Sequence, residues 1–166
     1  MEFEEIYNRY FNDVFRYIWR LSGSKDIAEE ITSETFFKAI RSIDKFRGEC
    51  ELRVWLCQIA KNCYYSYMKK NKDVTAVDIE ELHSVPDPNT LSEKSVLDTL
   101  ESVQIHKLLH SLPEPYKEVF MWRTFADMSF RQIGQIFRKT ENWACVTYYR
   151  ARMLLKDKLE DLRNEK

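Results

Sequence analysis

Glycine and proline are scarce: three and four in 166 residues. Both residues dominate the turns that a β-rich chain needs. With no alternating β-branched runs either, an all-β domain is excluded and an all-α fold is predicted. No apolar run approaches the roughly 18 residues of a membrane span. The start of the chain carries Glu2, Glu4 and Glu5 and no basic segment leading into an apolar one. No secretory signal is therefore expected, and a cytoplasmic location is predicted. The four cysteines, Cys50, Cys57, Cys63 and Cys145, form no C-x-x-C pair and have no histidine cluster beside them. They are expected to be free thiols of a reducing compartment, with neither a disulfide framework nor a metal site. His83, His106 and His110 fit no nucleophile–base or metal spacing and are expected on the surface or in packing. Paired carboxylates, a phosphate-binding loop and a nucleophile motif are all missing. No enzyme, catalytic residue, cofactor or small-molecule substrate is expected.

What the chain does have is aromatic residues, at 14 %, and charge that is unevenly placed despite a net value of −1. Residues 1–72 hold 13 basic and 11 acidic side chains, 73–104 hold 1 and 8, and 105–166 hold 12 and 8. Two mildly basic blocks thus flank an acidic segment. Within the first block Arg53, Lys61, Lys69, Lys70 and Lys72 follow one another with no acid between them. Bunched cations are what a polyanion-binding surface uses to neutralise phosphates. A solvated helix face explains one such cluster, but explains two beside aromatic-rich helices less well.

The organisation predicted is two small helical domains, 1–72 and 94–166, joined by an acidic linker over 73–93. Pro86 and Pro88 around Asp87, with Asn89, Thr90 and Ser92, break helical periodicity there. The linker's acidity discourages it from lying on DNA and fits it to oppose the basic faces weakly. In the first domain Phe3, Tyr7, Tyr10, Val14, Ile18 and Leu21 mark one helix, stopped by Gly23. A second begins at Asp26, with Ile27, Ile31, Phe36, Phe37 and Ile40 as apolar positions and Glu29, Glu30 and Glu34 along an exposed edge. After the break at Phe46-Arg47-Gly48-Glu49, a third runs from about Glu51 to Lys70. Trp55, Leu56, Ile59, Cys63 and Tyr67 are expected inside it, and Lys61, Asn62, Tyr65 and Lys69 outside. Aromatics interleaved with cations suit stacking on unpaired bases beside phosphates, although aromatics at helical spacing are more often core.

The second domain ends in a pattern that reads as a helix-turn-helix. Ser129 and Gln132 form an S-x-x-Q capping box, and Ile133, Ile136 and Phe137 give the short helix that follows an apolar face. Arg138-Lys139-Thr140 is a polar break, with Thr140 placed to cap the next helix. There Ala144, Tyr148, Ala151 and Leu155 form an inward stripe. The opposite face carries Asn142, Val146, Tyr149, Arg150 and Met153. This is the build of a major-groove reader; a plain helical hairpin is the other reading of the segment.

These stretches resemble those of extracytoplasmic-function sigma factors of the sigma-70 family. Ile27 to Ile40 (I-A-E-E-I-T-S-E-T-F-F-K-A-I) is similar to a signature of that family's region 2. Phe46-Arg47-Gly48-Glu49, Val54 to Asn62 and Tyr67 to Lys70 are similar to the stretches that follow it. Leu112 to Phe120 resembles the opening of region 4, Met128 to Gly134 its capped short helix, and Arg150-Ala151-Arg152 its R-A-R. The motifs span nearly the whole chain in the family's order and spacing.

The resemblance implies a subunit that binds core RNA polymerase through the β′ clamp helices and the β flap. It implies promoter DNA as the second partner and an anti-sigma factor as regulator. Glu29, Glu30, Ile31, Glu34 and Phe37 would dock on the clamp helices. Phe46, Arg47, Gly48, Lys61, Asn62, Tyr65, Lys69 and Lys70 would hold the melted −10 element, an extruded base needing a walled pocket; Trp55 is expected to pack rather than stack. Arg131, Asn142, Val146, Tyr149, Arg150 and Arg152 would contact the −35 duplex.

One stretch departs from the family's pattern. Where S-x-G-T-V-K-S-R is usual, this chain has Thr140 to Thr147 (T-E-N-W-A-C-V-T). Cys145, Val146 and Thr147 stand in place of Lys, Ser and Arg, and Trp143 in place of a small residue. Either the −35 sequence differs, or phosphate contacts and DNA shape carry more of the affinity. A helix-turn-helix regulator that is not a sigma subunit remains as the alternative. It explains residues 112–160 but not the acidic second helix or the aromatic-basic third.

Overall fold

A computed structural model describes residues 2–71 and 96–165, with backbone alone over 96–103. The expected linker, His83 and Lys72 lie outside the described residues. All described regular structure is helical, and the chain falls into two units, Met1–Val85 and Pro86–Lys166.

In the first unit α1 spans Phe3–Ser22. It ends at Gly23, whose φ of 73° lies in the left-handed region that glycine enters without penalty, and whose N–H donates to the Trp19 carbonyl. Helix α2, Lys25–Ser42, starts one residue earlier than the sequence suggests, because Ser24 is the cap and its Oγ accepts from the Ile27 N–H. A short 3₁₀ turn, Ile43–Lys45, leads to the Phe46–Glu51 loop and then to α3, Leu52–Lys70. The three helices pack on one another around Val14, Ile18, Leu21, Ile31, Val54, Leu56 and Cys57, all fully buried. Each large aliphatic side chain so buried contributes about 1.5–3 kcal/mol.

The inner stripe of α2 differs from the expected one. Phe37 and Ile40 are 60 % and 49 % exposed, and the core positions are Ile27, Ala28, Ile31, Thr32, Thr35, Phe36 and Ala39. The Thr35 hydroxyl donates to the Ile31 carbonyl at 2.7 Å, so this polar residue enters the core already satisfied. Counting apolar residues alone misses such positions. The start of α1 differs too: Tyr7 is 40 % exposed, and it joins Phe11 and Phe36 in a cluster of rings at 5.0 Å along the unit's flank.

In the second unit α4, Val96–Ser111, precedes α5, Tyr116–Thr124, α6, Phe130–Phe137, and α7, Glu141–Asn164. Helices α4, α5 and α6 all pack against α7. The core holds Val119, Trp122, Met128, Ile133, Ala144 and Ala151; the Trp122 indole N–H is satisfied by Glu118 Oε1 at 3.2 Å. His106 is buried, with its ring 4.7 Å from His110 and stacked towards Phe125. It is a packing residue.

Candidate functional site

Three exposed faces carry the residues singled out from the sequence. The first is the outer face of α2. Glu29 and Glu30 are exposed, and Glu34 pairs with Lys38 one turn on, at 3.1 Å. That carboxylate is the main reason the Lys38 ammonium is held above its ordinary range, with the Cys63 thiol adding to it. Phe37 stands between them and Arg41, whose guanidinium lies over its ring at 5.4 Å. Ile31 is 0 % exposed, so it belongs to the core beneath this face and cannot touch a partner there. Ile40 and Arg41 belong to the face and were missed, although their i+3 and i+4 spacing from Phe37 makes them readable.

The second face combines the loop after α2 with the flank of α3. Gly48, at φ 74°, holds a conformation that other residues adopt only with strain, and a Cβ there would meet nothing within 4 Å. Phe46 and Trp55, both half-buried, meet at 5.2 Å and wall the loop on one side. Arg47 is exposed beside them. On α3, Asn62, Lys69 and Lys70 are exposed, and Lys61 and Tyr65 half-buried. Positions 61, 65 and 69 repeat every four residues and so share one face. Lys69 and Lys70 also occupy the last turn of α3, where cations complement the helix dipole. Burial pushes the Cys57 thiol up to about 12, and burial with the Glu49 and Glu51 carboxylates raises that of Cys50.

The third face is the helix-turn-helix of α6 and α7. The capping box is present in both directions: Ser129 Oγ accepts from the Gln132 N–H at 3.1 Å, and Gln132 Oε1 accepts from the Ser129 N–H at 2.9 Å. Arg138, at φ 55°, ends α6, and Thr140 Oγ1 accepts from the Trp143 N–H to cap α7. Gly134 is the tight point, because a Cβ on it would lie 2.9 Å from the carbonyl oxygens of Lys139 and Thr140. The turn is therefore laid directly on the backbone of α6. Asn142, Val146, Tyr149, Arg150 and Met153 all face outward, as the periodicity predicts, and Arg131 and Arg152 are exposed.

Within this face the cations differ. The Arg152 guanidinium lies 5.9 and 5.8 Å from the Tyr148 and Tyr149 rings. Arg150, among the described residues, makes neither a ring contact nor an ion pair. Arg123, not foreseen, sits 4.3 Å over Phe130 and donates to the Met128 carbonyl. It ties the entry of α6 to α5, a link across the fold that sequence spacing does not carry. Two of the residues that depart from the family pattern prove to be structural. The Trp143 ring packs on Phe137 at 5.2 Å, and Thr147 is 5 % exposed. Position 147 thus does not belong to the outward face.

Residues 6–74 match the family described as Sigma-70 region 2, and residues 102–155 match Sigma-70, region 4. The chain is similar to the extracytoplasmic-function sigma factor SigM of Bacillus subtilis, 26 % identical, with 94 % of each chain covered. The extracytoplasmic-function sigma-E factor of Haemophilus influenzae is 28 % identical, over 96 % of this chain and 88 % of that one. In fold it is similar to the sigma factor RpoE of Bartonella quintana, solved in complex with the anti-sigma factor NepR. That match has a TM-score of 0.63 and 21 % identity, with 95 % and 96 % of the two chains covered. CnrH, solved with the cytosolic domain of CnrY, gives a TM-score of 0.63 at 16 % identity, over 96 % and 88 % of the chains. With both family regions in sequence order on two helical units, the chain belongs to the sigma-70 family and is an alternative sigma factor of its extracytoplasmic-function group.

Proposed function

We propose a division of labour among the three faces. The outer face of α2, through Glu29, Glu30, Glu34 and Phe37, docks on the clamp helices of core RNA polymerase. Its make-up supports this: an exposed aromatic ring is the kind of anchor interfaces use, and the charged residues around it suit a polar rim. The Phe46–Cys50 loop with Lys61, Asn62 and Tyr65 holds the melted −10 strand, while Lys69 and Lys70 neutralise its phosphates. The α7 face reads the −35 duplex, with Asn142, Val146, Tyr149 and Arg150 towards base edges and Arg131 and Arg152 towards the backbone. The chain acts in the cytoplasm and is held inactive by an anti-sigma factor, as the RpoE fold is bound by NepR.

The observation that carries the reading is Arg150: exposed, unengaged by neighbouring side chains among the described residues, and one turn beyond Val146 on a capped helix. Base contacts specify and phosphate contacts position. Arg150→Ala is therefore expected to cost about 1–3 kcal/mol and relax −35 preference. Lys69→Ala or Lys70→Ala weakens binding to all sequences alike and lowers the salt dependence. Selection from a promoter library with each variant, bound to core polymerase, tests this. An unchanged −35 preference in Arg150→Ala contradicts the assignment of α7.

A further inference from the structure

The first two turns of α7 turn half of their side chains away from the outward face. Trp143 packs on Phe137, Ala144 and Thr147 are buried, and Tyr148 stacks with Phe120 and Phe130 at 5.6 and 5.5 Å. Of the residues left on that face, Asn142, Tyr149 and Arg150 carry hydrogen-bonding groups, and Asn142 and Arg150 lie in one row along the helix. Between them, one turn from each, stands Val146, 39 % exposed. A β-branched side chain is a poor choice for an exposed helix position on helical propensity alone. It also has no donor or acceptor with which to read a base edge. The major groove offers one apolar feature, the C5-methyl group of thymine.

Resting on the reading of α7 as the −35 reader, we propose that Val146 is a specificity-determining residue that packs against a thymine methyl group. The order along the helix sets where that thymine lies. Four residues of helix rise about 6 Å, and residues three to four apart on a helix laid in the major groove reach neighbouring base pairs. The thymine stands between the positions read by Asn142 and Arg150, about one to two base pairs from each. Asparagine suits adenine and arginine suits guanine, so the element carries an adenine–thymine–guanine series of contacts at that interval, on either strand.

The test uses the full chain bound to core polymerase and a duplex promoter selected from a library randomised over the −35 element. Each thymine of the selected element is replaced in turn by deoxyuridine, which keeps pairing and the O4 acceptor but removes the methyl group. One position is expected to lose about fourfold in affinity, the effect of one buried methyl group. In Val146→Ala that sensitivity disappears, while helical circular dichroism is kept and the melting temperature does not fall below the parent's. A selected element without thymine at that interval, uniformly neutral deoxyuridine substitutions, or a methyl effect that survives in Val146→Ala would each overturn the proposal. Selection that yields a clear −35 preference without a methyl effect refutes Val146 alone. Selection that yields no −35 preference refutes the reading of α7 as well.

Discussion

At the residue scale, Asn62 gives the sharpest division between binding and melting. It is exposed on α3, on the flank that carries Lys61 and Tyr65. If it holds an extruded −10 base, Asn62→Ala is expected to impair open-complex formation on duplex promoters. On a pre-melted bubble the opening cost is already met, so the defect shrinks. Potassium permanganate footprinting, alongside initiation assays on both templates, measures the two. Full activity on both templates removes Asn62 from the site. The same scale shows how far single residues were legible. Ser129, Gln132 and Thr140 were readable because capping is local chemistry between residues three apart. Ile31 entered the docking face through the family resemblance alone; the periodicity that set it among the apolar positions of α2 is what its burial follows. Thr147 was read as a lost cation on the reading helix, but the α7 periodicity that buries Ala144 and Ala151 buries it too.

At the scale of the element, the helices and their faces follow from periodicity wherever the inner stripe is apolar, as on α7. Helix α2 defeats that rule because threonines fill part of its inner stripe, which frees Phe37 and Ile40 for the surface. The consequence is testable. Since Phe37 is 60 % exposed, Phe37→Ala is expected to leave helical circular dichroism and melting unchanged. It should weaken core-polymerase binding by about 2 kcal/mol in a titration. Glu34→Lys is expected to abolish capture of core polymerase as well. Because it sets a second ammonium one turn from Lys38, it also loses a few tenths of a kcal/mol of helix stability. Wild-type binding by both folded variants contradicts the docking face. In the helix-turn-helix the controlling position is Gly134. A methyl group placed 2.9 Å from two turn carbonyls forces α6 and α7 apart. Gly134→Ala is therefore expected to cost about 1–3 kcal/mol in thermal denaturation. Duplex −35 binding falls with it, while the α2 face keeps its hold on the polymerase. An unchanged melting temperature and −35 affinity would show that the turn is not held there.

At the scale of the whole molecule, two helical units carry the two family regions, one with the faces proposed for polymerase docking and for single-stranded DNA, the other with the proposed duplex reader. That combination separates a sigma factor from a regulator with a helix-turn-helix alone, since a regulator has no use for the first unit. Its two-domain order was legible from charge blocks and prolines, whereas the assignment of each face rests on which side chains the packing leaves outside. The direct test is run-off transcription with purified core RNA polymerase, this chain, and a promoter chosen by library selection, with no other sigma factor present. A specific transcript is expected that depends on the chain and is lost when the −10 or the −35 element is scrambled. Core enzyme that stays silent with this chain, but is stimulated by it once a resident sigma factor is added, would show a regulator and not a sigma subunit.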